Sequence, residues 1–405
     1  MEASAVKVQD YLEAVTSVGA RSVGTDGAKA GVERIRSLLE SDGLRVTLDT
    51  FRAPLHTLYD GPALIALALL ILAAGAFFGP VSWTPAAAFF MALVLIPLVG
   101  DLLAIPVNMD MILPKVPAEN VEADIVGHGK GRILLIAHHD TQWATFIFSP
   151  GFLPFARLFF LLAYAGFFGL FAATAVAGLW RLPWAHAAIA PLGLVLLITI
   201  AVLRCAFAGR APLLGANDNA SGVAVATAVA LAIRQDVKEG RLAEQGASLS
   251  LLLTGAEEVG ERGMLHWVRK NHPPRGETAF VNLDNVAGGT LRFLESEGMI
   301  LPLRSHPSLV RLARATARNW PGELEKGEPL LLPTDAMWPI SLGYAAITFI
   351  GQEKDGRIPD YHQVTDQPDR IDAVHLARVT DIVHDYVFAL WKEASDMSVE
   401  VGSRP

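Results

Sequence analysis

Long uncharged stretches constrain this chain more than any other feature of its sequence. Gly61 to Gly100 is a run of 40 residues without a formal charge, interrupted at Gly79-Pro80 and Thr84-Pro85. Leu158 to Trp180 is uncharged, Arg181 follows, and Leu182 to Leu203 is uncharged again, with His186 near its start. Crossing the hydrocarbon core of a bilayer takes about 20 apolar residues in a helix. The first run therefore reads as two helices and the other two as one helix each, four spans in two tight hairpins. Buried helices of soluble proteins rarely run so long without a charge. Composition agrees: 18% of residues are charged and 52% hydrophobic, where soluble domains carry about 25% charged residues.

Each hairpin leaves the polar part of the chain and returns to the same side. Arg52, Lys115, Arg157, Arg204 and Arg210 flank that side, and Arg181 lies alone on the far side. Positive charge concentrates on the cytoplasmic side of membranes, so the expected protein is a multi-pass integral membrane protein, of a bacterial inner membrane, with its polar domain cytoplasmic and the lipid bilayer as a partner. The apolar runs hold no Asp, Glu, Lys or Arg, which argues for an anchor over an ion pathway. The net charge of −8, from 41 acidic and 33 basic residues, comes with no basic run and argues against nucleic acid as a partner. A single cysteine, Cys205, excludes an intrachain disulfide and a cysteine zinc site. Any metal must be held by His, Asp and Glu. The first residues, MEASAVKVQDYLEAV, lack the apolar core of a signal peptide.

This reading divides the chain into residues 1–57 (polar domain, first part), 58–106 (first hairpin), 107–150 (polar domain), 151–210 (second hairpin), 211–396 (polar domain) and 397–405 (polar tail). The polar parts sum to roughly 290 residues, a size suited to one α/β domain. Val6 to Leu39 has helical periodicity broken by the turn-rich stretch Gly19–Gly27, and Leu44 to Phe51 alternates as a strand does. Val121–Val126 and Ile133–Ala137 read as strands joined by the turn GHGKG, and Leu249–Leu253 and Phe280–Leu283 as further strands. Helical patterns cover Gly222–Ile233 and Gly263–Lys270. Strands alternating with helices predict an α/β fold in three layers, a mixed β-sheet flanked by helices on both faces. Ligands in such folds bind beyond the carboxyl ends of strands.

The polar residues at those ends are chemically distinctive. Strand ILLIA runs into His138-His139-Asp140. His138 suits a metal, with the Asp140 carboxylate behind it fixing the ring, although such a cluster is often only a loop. Asp218, in GANDNASG before an apolar helix, is either a helix cap or a carboxylate holding two cations, and Asn219 and Ser221 offer other caps. Strand LSLLLTGA ends in Glu257-Glu258, adjacent carboxylates that repel unless solvent, a proton or a cation intervenes. With a metal present, Glu258 would be a ligand and Glu257 the general base. Strand AFVNL ends in Asp284, and Tyr361-His362 follow the apolar stretch YAAITFIG. Singly each is weak. Together His138, Asp218, Glu258, Asp284 and His362 make two overlapping three-donor sites sharing Asp218, a set suited to catalytic zinc. Two metals about 3.5–4 Å apart clamp a water and polarise a carbonyl.

The segments IAHHDT, GANDNASGVA, TGAEEVG, VNLDNVAGG and YHQVTDQPDRID resemble, in order, the motifs of the co-catalytic zinc aminopeptidase family, which includes bacterial leucyl aminopeptidases, aminopeptidase Y and glutamate carboxypeptidase, with glutaminyl cyclases as relatives. The resemblance spans the chain outside the two inserts. It implies a zinc exopeptidase-like fold, one zinc on His138, Asp218 and Asp284, and a second on Asp218, Glu258 and His362. It also implies Asp140 as the residue orienting His138, Glu257 as the base, and the N-terminal residue of a peptide as the substrate. Two departures stand out. Asp140 and Asp218 are separated by 77 residues, where the family usually has a couple of dozen. Loop closure grows slowly in cost with length, so the two can still meet, and the site is expected close to the membrane surface. In PTDAMW, Asp335 is kept but Ala336 stands where the family commonly has His, which bears on substrate positioning. Two alternatives remain: a non-catalytic receptor or scaffold of the same fold, and a glutaminyl cyclase, which typically uses one zinc.

Overall fold

The computed structural model describes residues 2–55, 59–105, 113–207, 211–298, 301–330 and 332–394; the expected tail 397–405 and Arg210 lie outside them. In chain order the elements are α1 (Glu2–Thr16), α2 (Asp26–Ser41), β1 (Arg45–Pro54), α3 (Asp60–Phe78), α4 (Thr84–Leu102), β2 (Lys115–Val126), β3 (Arg132–His138), α5 (Leu153–Trp180) and α6 (Pro183–Cys205). They continue with α7 (Gly222–Lys238), β4 (Ser248–Thr254), α8 (Arg262–Asn271), β5 (Thr278–Asp284), β6 (Thr290–Phe293), β7 (Ser296–Glu297) and β8 (Leu303–Arg304). The last are α9 (Pro307–Ala317), β9 (Leu324–Lys326), α10 (Met337–Ser341), β10 (Ala345–Gln352) and α11 (Ala373–Ala394). The chain forms two compact units. One comprises Met1–Ala53, Val116–Trp143 and Ala211–Pro405, and the other Pro54–Lys115 and Ala144–Arg210.

The first unit is an α/β fold around an 8-stranded mixed sheet of order β1-β2-β4-β3-β5-β10-β6-β9. Its centre is parallel: β3 pairs with β4 and β5, and β5 pairs with β10. Strand β2 runs antiparallel to β4, and β6 antiparallel to β10. The strands flanking the GHGKG turn are therefore not neighbours, because β4 lies between them. Parallel central strands are covered on both faces and read as continuous apolar runs. Here the two faces alternate strictly. Ile133, Leu135 and Ala137, with Leu249, Leu251, Leu253, Val281, Leu283, Ile347 and Phe349, pack with residues of α1, α2, α7 and α11. On the opposite face the buried Phe280 meets Trp267 of α8 and Tyr344 edge-on. Burying one such Leu, Ile or Phe contributes about 1.5–3 kcal/mol.

This topology fixes where polar residues gather. Because β3, β4, β5 and β10 are parallel, all four end at one edge of the sheet. His138 lies opposite Thr254, and Asp284 opposite Ile350.

The second unit contains α3, α4, α5 and α6. Its inward residues are small or aliphatic: Ala66, Leu69, Ala73, Met91, Ala163, Leu170, Ala173 and Leu196. A side chain at Gly178 would press on the backbone of Thr84 and Pro85, so helix tips there approach at backbone contact. The outward residues are also apolar, with Ile71 65%, Phe89 61%, Leu161 45% and Leu194 57% exposed. All four helices are long and apolar enough to cross a membrane, with 28% to 39% of their apolar windows buried within the structure. A fifth segment, Ala216–Lys238, meets the same length and composition criterion but is 78% buried. That burial belongs to α7, which packs within the core of the α/β unit.

Candidate metal centre

The parallel edge brings the sequence-picked donors together. His138 ends β3 and Asp284 ends β5, while Glu257 and Glu258 follow the end of β4 within four residues. Asp218 lies in the irregular turn between Gly215 and α7. Gly215 has φ +60°, and a side chain there would collide with the Asp218 carbonyl, so glycine permits this turn. The Asp218–Asn219 peptide is cis. Asn219, not Asp218, caps α7: its Oδ1 accepts from the Gly222 amide at 2.9 Å. His362 comes from the loop after β10, its ring stacked on Tyr361 with centroids 3.9 Å apart.

Two groups of donor atoms, His138–Asp218–Asp284 and Asp218–Glu258–His362, each lie within 4.8 Å of one another. His138 Nε2 is 3.3 Å from Asp218 Oδ1 and 3.4 Å from Asp284 Oδ1. His362 Nε2 is 3.3 Å from both Asp218 Oδ2 and Glu258 Oε2. Asp218 thus turns one oxygen to each imidazole. Donors about 2.0–2.1 Å from a tetrahedral ion lie roughly 3.3 Å from each other, which is the spacing found. Glu258 Oε1 is buried with no hydrogen-bond partner among the described residues, a costly state unless a cation satisfies it. The donor set fits metal. A third grouping, His138–Glu257–Glu258, also satisfies the distance criterion. Glu257 lies farther out, with Oε2 3.9 Å from His138 Nε2 and its side chain 11% exposed.

The Asp140 carboxylate is placed by the start of the β3–α5 connection and accepts from two amides, Glu257 N at 3.1 Å and Glu258 N at 3.2 Å. The His138 ring reaches Asp140 chiefly through the backbone: Nδ1 is 3.2 Å from the Asp140 carbonyl oxygen and 3.8 Å from Oδ1. Asp140 therefore ties the imidazole to the two glutamates. His139 points away and donates from Nε2 to the Glu119 carbonyl at 2.9 Å.

Several buried residues that sequence reasoning did not single out hold this geometry. Asp366 accepts from the amides of Asn217 (2.6 Å) and Asp218 (3.0 Å). Gln142 donates to Glu258 Oε2 at 3.1 Å and to its carbonyl at 3.0 Å. Glu297 accepts from Thr334 N, Thr334 Oγ1 and Thr348 Oγ1 at 2.8, 2.9 and 2.7 Å and so anchors the segment carrying Asp335 and Ala336. Asp335 is buried and accepts from the Thr254 hydroxyl, and Ala336 is fully buried. Of Asp366, Gln142 and Glu297, Asp366 alone lies within a sequence motif, four residues beyond His362; Asp335 and Ala336 are already marked by the PTDAMW segment.

Burial would lower the pKa of His138, but the Glu257 charge and hydrogen bonds to Asp218 and Asp284 outweigh it and hold the imidazole well above its ordinary range. His362 is likewise pushed up to about 10, burial being overcome by Glu258 and Asp218. Burial raises Asp218, but the two imidazoles prevail and hold it below the usual carboxylate range. Burial raises Glu257 well above its ordinary value against the pull of His138, and Glu258 to about 6. At about 10, His362 holds a proton at neutral pH in the metal-free protein, and His138 is shifted in the same direction, so an incoming ion must displace protons. Metal affinity is expected to rise with pH, up to ~10-fold per unit for each displaced proton. Zinc titrations between about pH 6 and about pH 8 check this; a flat profile contradicts the protonation scheme.

Residues 200–387 match Peptidase family M28. The M28 match contains Asp218, Glu257, Glu258, Asp284 and His362, whereas His138 and Asp140 lie N-terminal to it. Glutaminyl cyclase of Porphyromonas gingivalis has a similar structure, with TM-score 0.55, 17% identity, and coverage of 95% of this chain and 98% of that one. A Zn-dependent exopeptidase from Parabacteroides distasonis gives TM-score 0.55 and 16% identity, covering 96% of this chain and 97% of that one. A leucine aminopeptidase precursor from Bacteroides thetaiotaomicron gives 0.54 and 16%, covering 95% and 96%. These likenesses establish the fold that the M28 match and the strand-end donors share. No curated protein matches the chain.

Proposed function

We propose that this chain is a membrane-anchored, zinc-dependent aminopeptidase that binds two zinc ions bridged by Asp218. The observation carrying this reading is the pair of three-donor groups meeting at Asp218, at spacings a tetrahedral ion requires. His138, Asp218 and Asp284 would hold one ion, and Asp218, Glu258 and His362 the other. Zinc in these groups would acidify water, polarise the scissile carbonyl and accept the free amine of a peptide's first residue. Glu257 takes the proton from the attacking water and delivers it to the leaving amine. Its burial, which raises its proton affinity, suits a group that must carry a proton between two steps. Asp140 holds Glu257 and Glu258 in register through their amides.

The four-helix unit supports anchoring. Its helices are apolar on the outside, and Trp83, Trp180 and Trp184, at the two hairpin tips, are 61%, 65% and 65% exposed. Exposed tryptophans at one end of an apolar bundle suit a lipid–water interface. Small residues at the helix contacts suit packing in lipid, where close backbone approach drives association. By the distribution of flanking basic residues, Lys115 among them, the α/β unit is cytoplasmic.

The glutaminyl cyclases among the similar structures favour a second reading, cyclisation of an N-terminal glutamine. One assay separates the two. Detergent-purified protein is incubated with a panel of short peptides, including one beginning with glutamine, with and without a chelator. The aminopeptidase reading expects release of free amino acids, lost on chelation and restored by zinc. Release of ammonia from the glutamine peptide alone would overturn it in favour of the cyclase.

A further inference from the structure

The site is interrupted in sequence: His138 and Asp140 precede the second insert, and Asp218 follows it, with 77 residues between Asp140 and Asp218. Something must fix the distance between the two sides of this gap. Arg21, in the turn between α1 and α2, is fully buried. Its guanidinium donates to backbone carbonyls on both sides: Nε to His139 at 2.7 Å, Nη1 to Leu214 at 2.8 Å and Nη2 to Gly215 at 3.1 Å. Nη1 also reaches the Gly19 carbonyl at 3.2 Å, and the Arg21 amide donates to Thr141 Oγ1 at 2.8 Å. One planar fork thus touches the residue after His138 and the residues three and four before Asp218. Lysine, with three donors on one nitrogen, cannot span these directions.

Other contacts near the gap lie farther out. Leu213 N donates to the Gln142 carbonyl at 3.0 Å, and Trp143 bridges to Pro212. Asp218 has separate support through the Asp366 carboxylate on its amide. His138 meets Asp218 through its ring, with Nε2 3.3 Å from Oδ1, a side-chain contact that does not fix the backbone on either side.

We propose that Arg21 is a positioning residue that sets the His138–Asp218 distance across the insert, so that the His138–Asp218–Asp284 metal group depends on it and the Asp218–Glu258–His362 group does not. The inference rests on the two-metal reading of the site. A merely structural arginine would weaken both groups together, or neither. Removal of Arg21 should loosen one group, because Asp366 keeps Asp218 in place for the other.

The test titrates metal-free, full-length protein in detergent with cobalt, read by its visible absorption, and with zinc, read by calorimetry. Wild type, Arg21→Lys and His138→Ala are compared, with thermal melts run alongside. Expected are two ions in wild type. In Arg21→Lys one ion should bind at least ~10-fold more weakly, with the other within about threefold, the pattern of His138→Ala. Two ions bound by Arg21→Lys with unchanged affinities and spectrum overturn the proposal. So does an equal loss at both groups. Wild type that binds neither cobalt nor zinc removes the two-metal reading itself, a failure distinct from that of Arg21. Should Arg21→Lys not fold, the same titration on Arg21→Gln decides, since the shorter amide keeps a donor in the turn but cannot reach the carbonyls on both sides of the gap. A selective loss at one group supports the proposal, and unchanged binding overturns it.

Discussion

Glu257→Gln is expected to keep both metal ions and lose ~10²–10⁴-fold in turnover, the usual worth of a positioned general base. The substitution preserves shape and removes the ability to take a proton. Glu257 is the most exposed side chain of the cluster, at 11%, and its Oε2 lies 3.9 Å from His138 Nε2. It also falls within a donor group with His138 and Glu258, so a role as ligand is the competing account. Metal content separates the two. A variant that turns over peptides normally removes the base assignment, and one that loses an ion while inactive makes Glu257 a ligand.

Asp218→Asn is expected to reduce bound zinc from two ions to none at limiting metal and to abolish activity. Asp218 is the residue the two donor groups share, with Oδ1 toward His138 and Oδ2 toward His362. Each group without it keeps one imidazole and one carboxylate, below the three protein ligands a catalytic zinc site normally has. The amide keeps its size, and the loop is held independently by Asp366 on the Asn217 and Asp218 amides, so the fold should survive. The metal-free variant should still melt cooperatively but below metal-free wild type, because the Asp218 carboxylate's pairing with the two imidazoles is lost. Asp218→Asn retaining one tightly held ion would show that the groups do not depend on a common bridge.

Much of this site was legible because its donors sit where a parallel sheet must place them. His138 and Asp284 are the last residues of their strands, and the glutamates follow a third, so an apolar strand ending in a polar residue was signal enough. The apolar helices of the second unit were equally plain, since their length without charge allows few other structures. The positioning residues were not legible. Arg21 lies in a glycine-rich turn where local sequence says nothing of burial, and Gln142 follows a motif without belonging to its pattern. Their importance comes from carbonyls and carboxylates distant in sequence. Strand order was hidden for the same reason. The two strands around GHGKG looked adjacent, but β4 pairs between them, a long-range partnership that no local pattern reports. The α7 helix shows the converse limit: composition alone would let it cross a membrane, and only its packing against β3, β4 and β5 makes it core.

The central claim is a bridged pair of zinc ions, and counting them tests it most directly. Protein purified without added metal, then equilibrated with zinc and freed of excess, is measured by elemental analysis against chain concentration. The proposed arrangement predicts two zinc ions per chain, both lost on chelation together with peptide cleavage. A stoichiometry of one, or activity that persists without zinc, would contradict it.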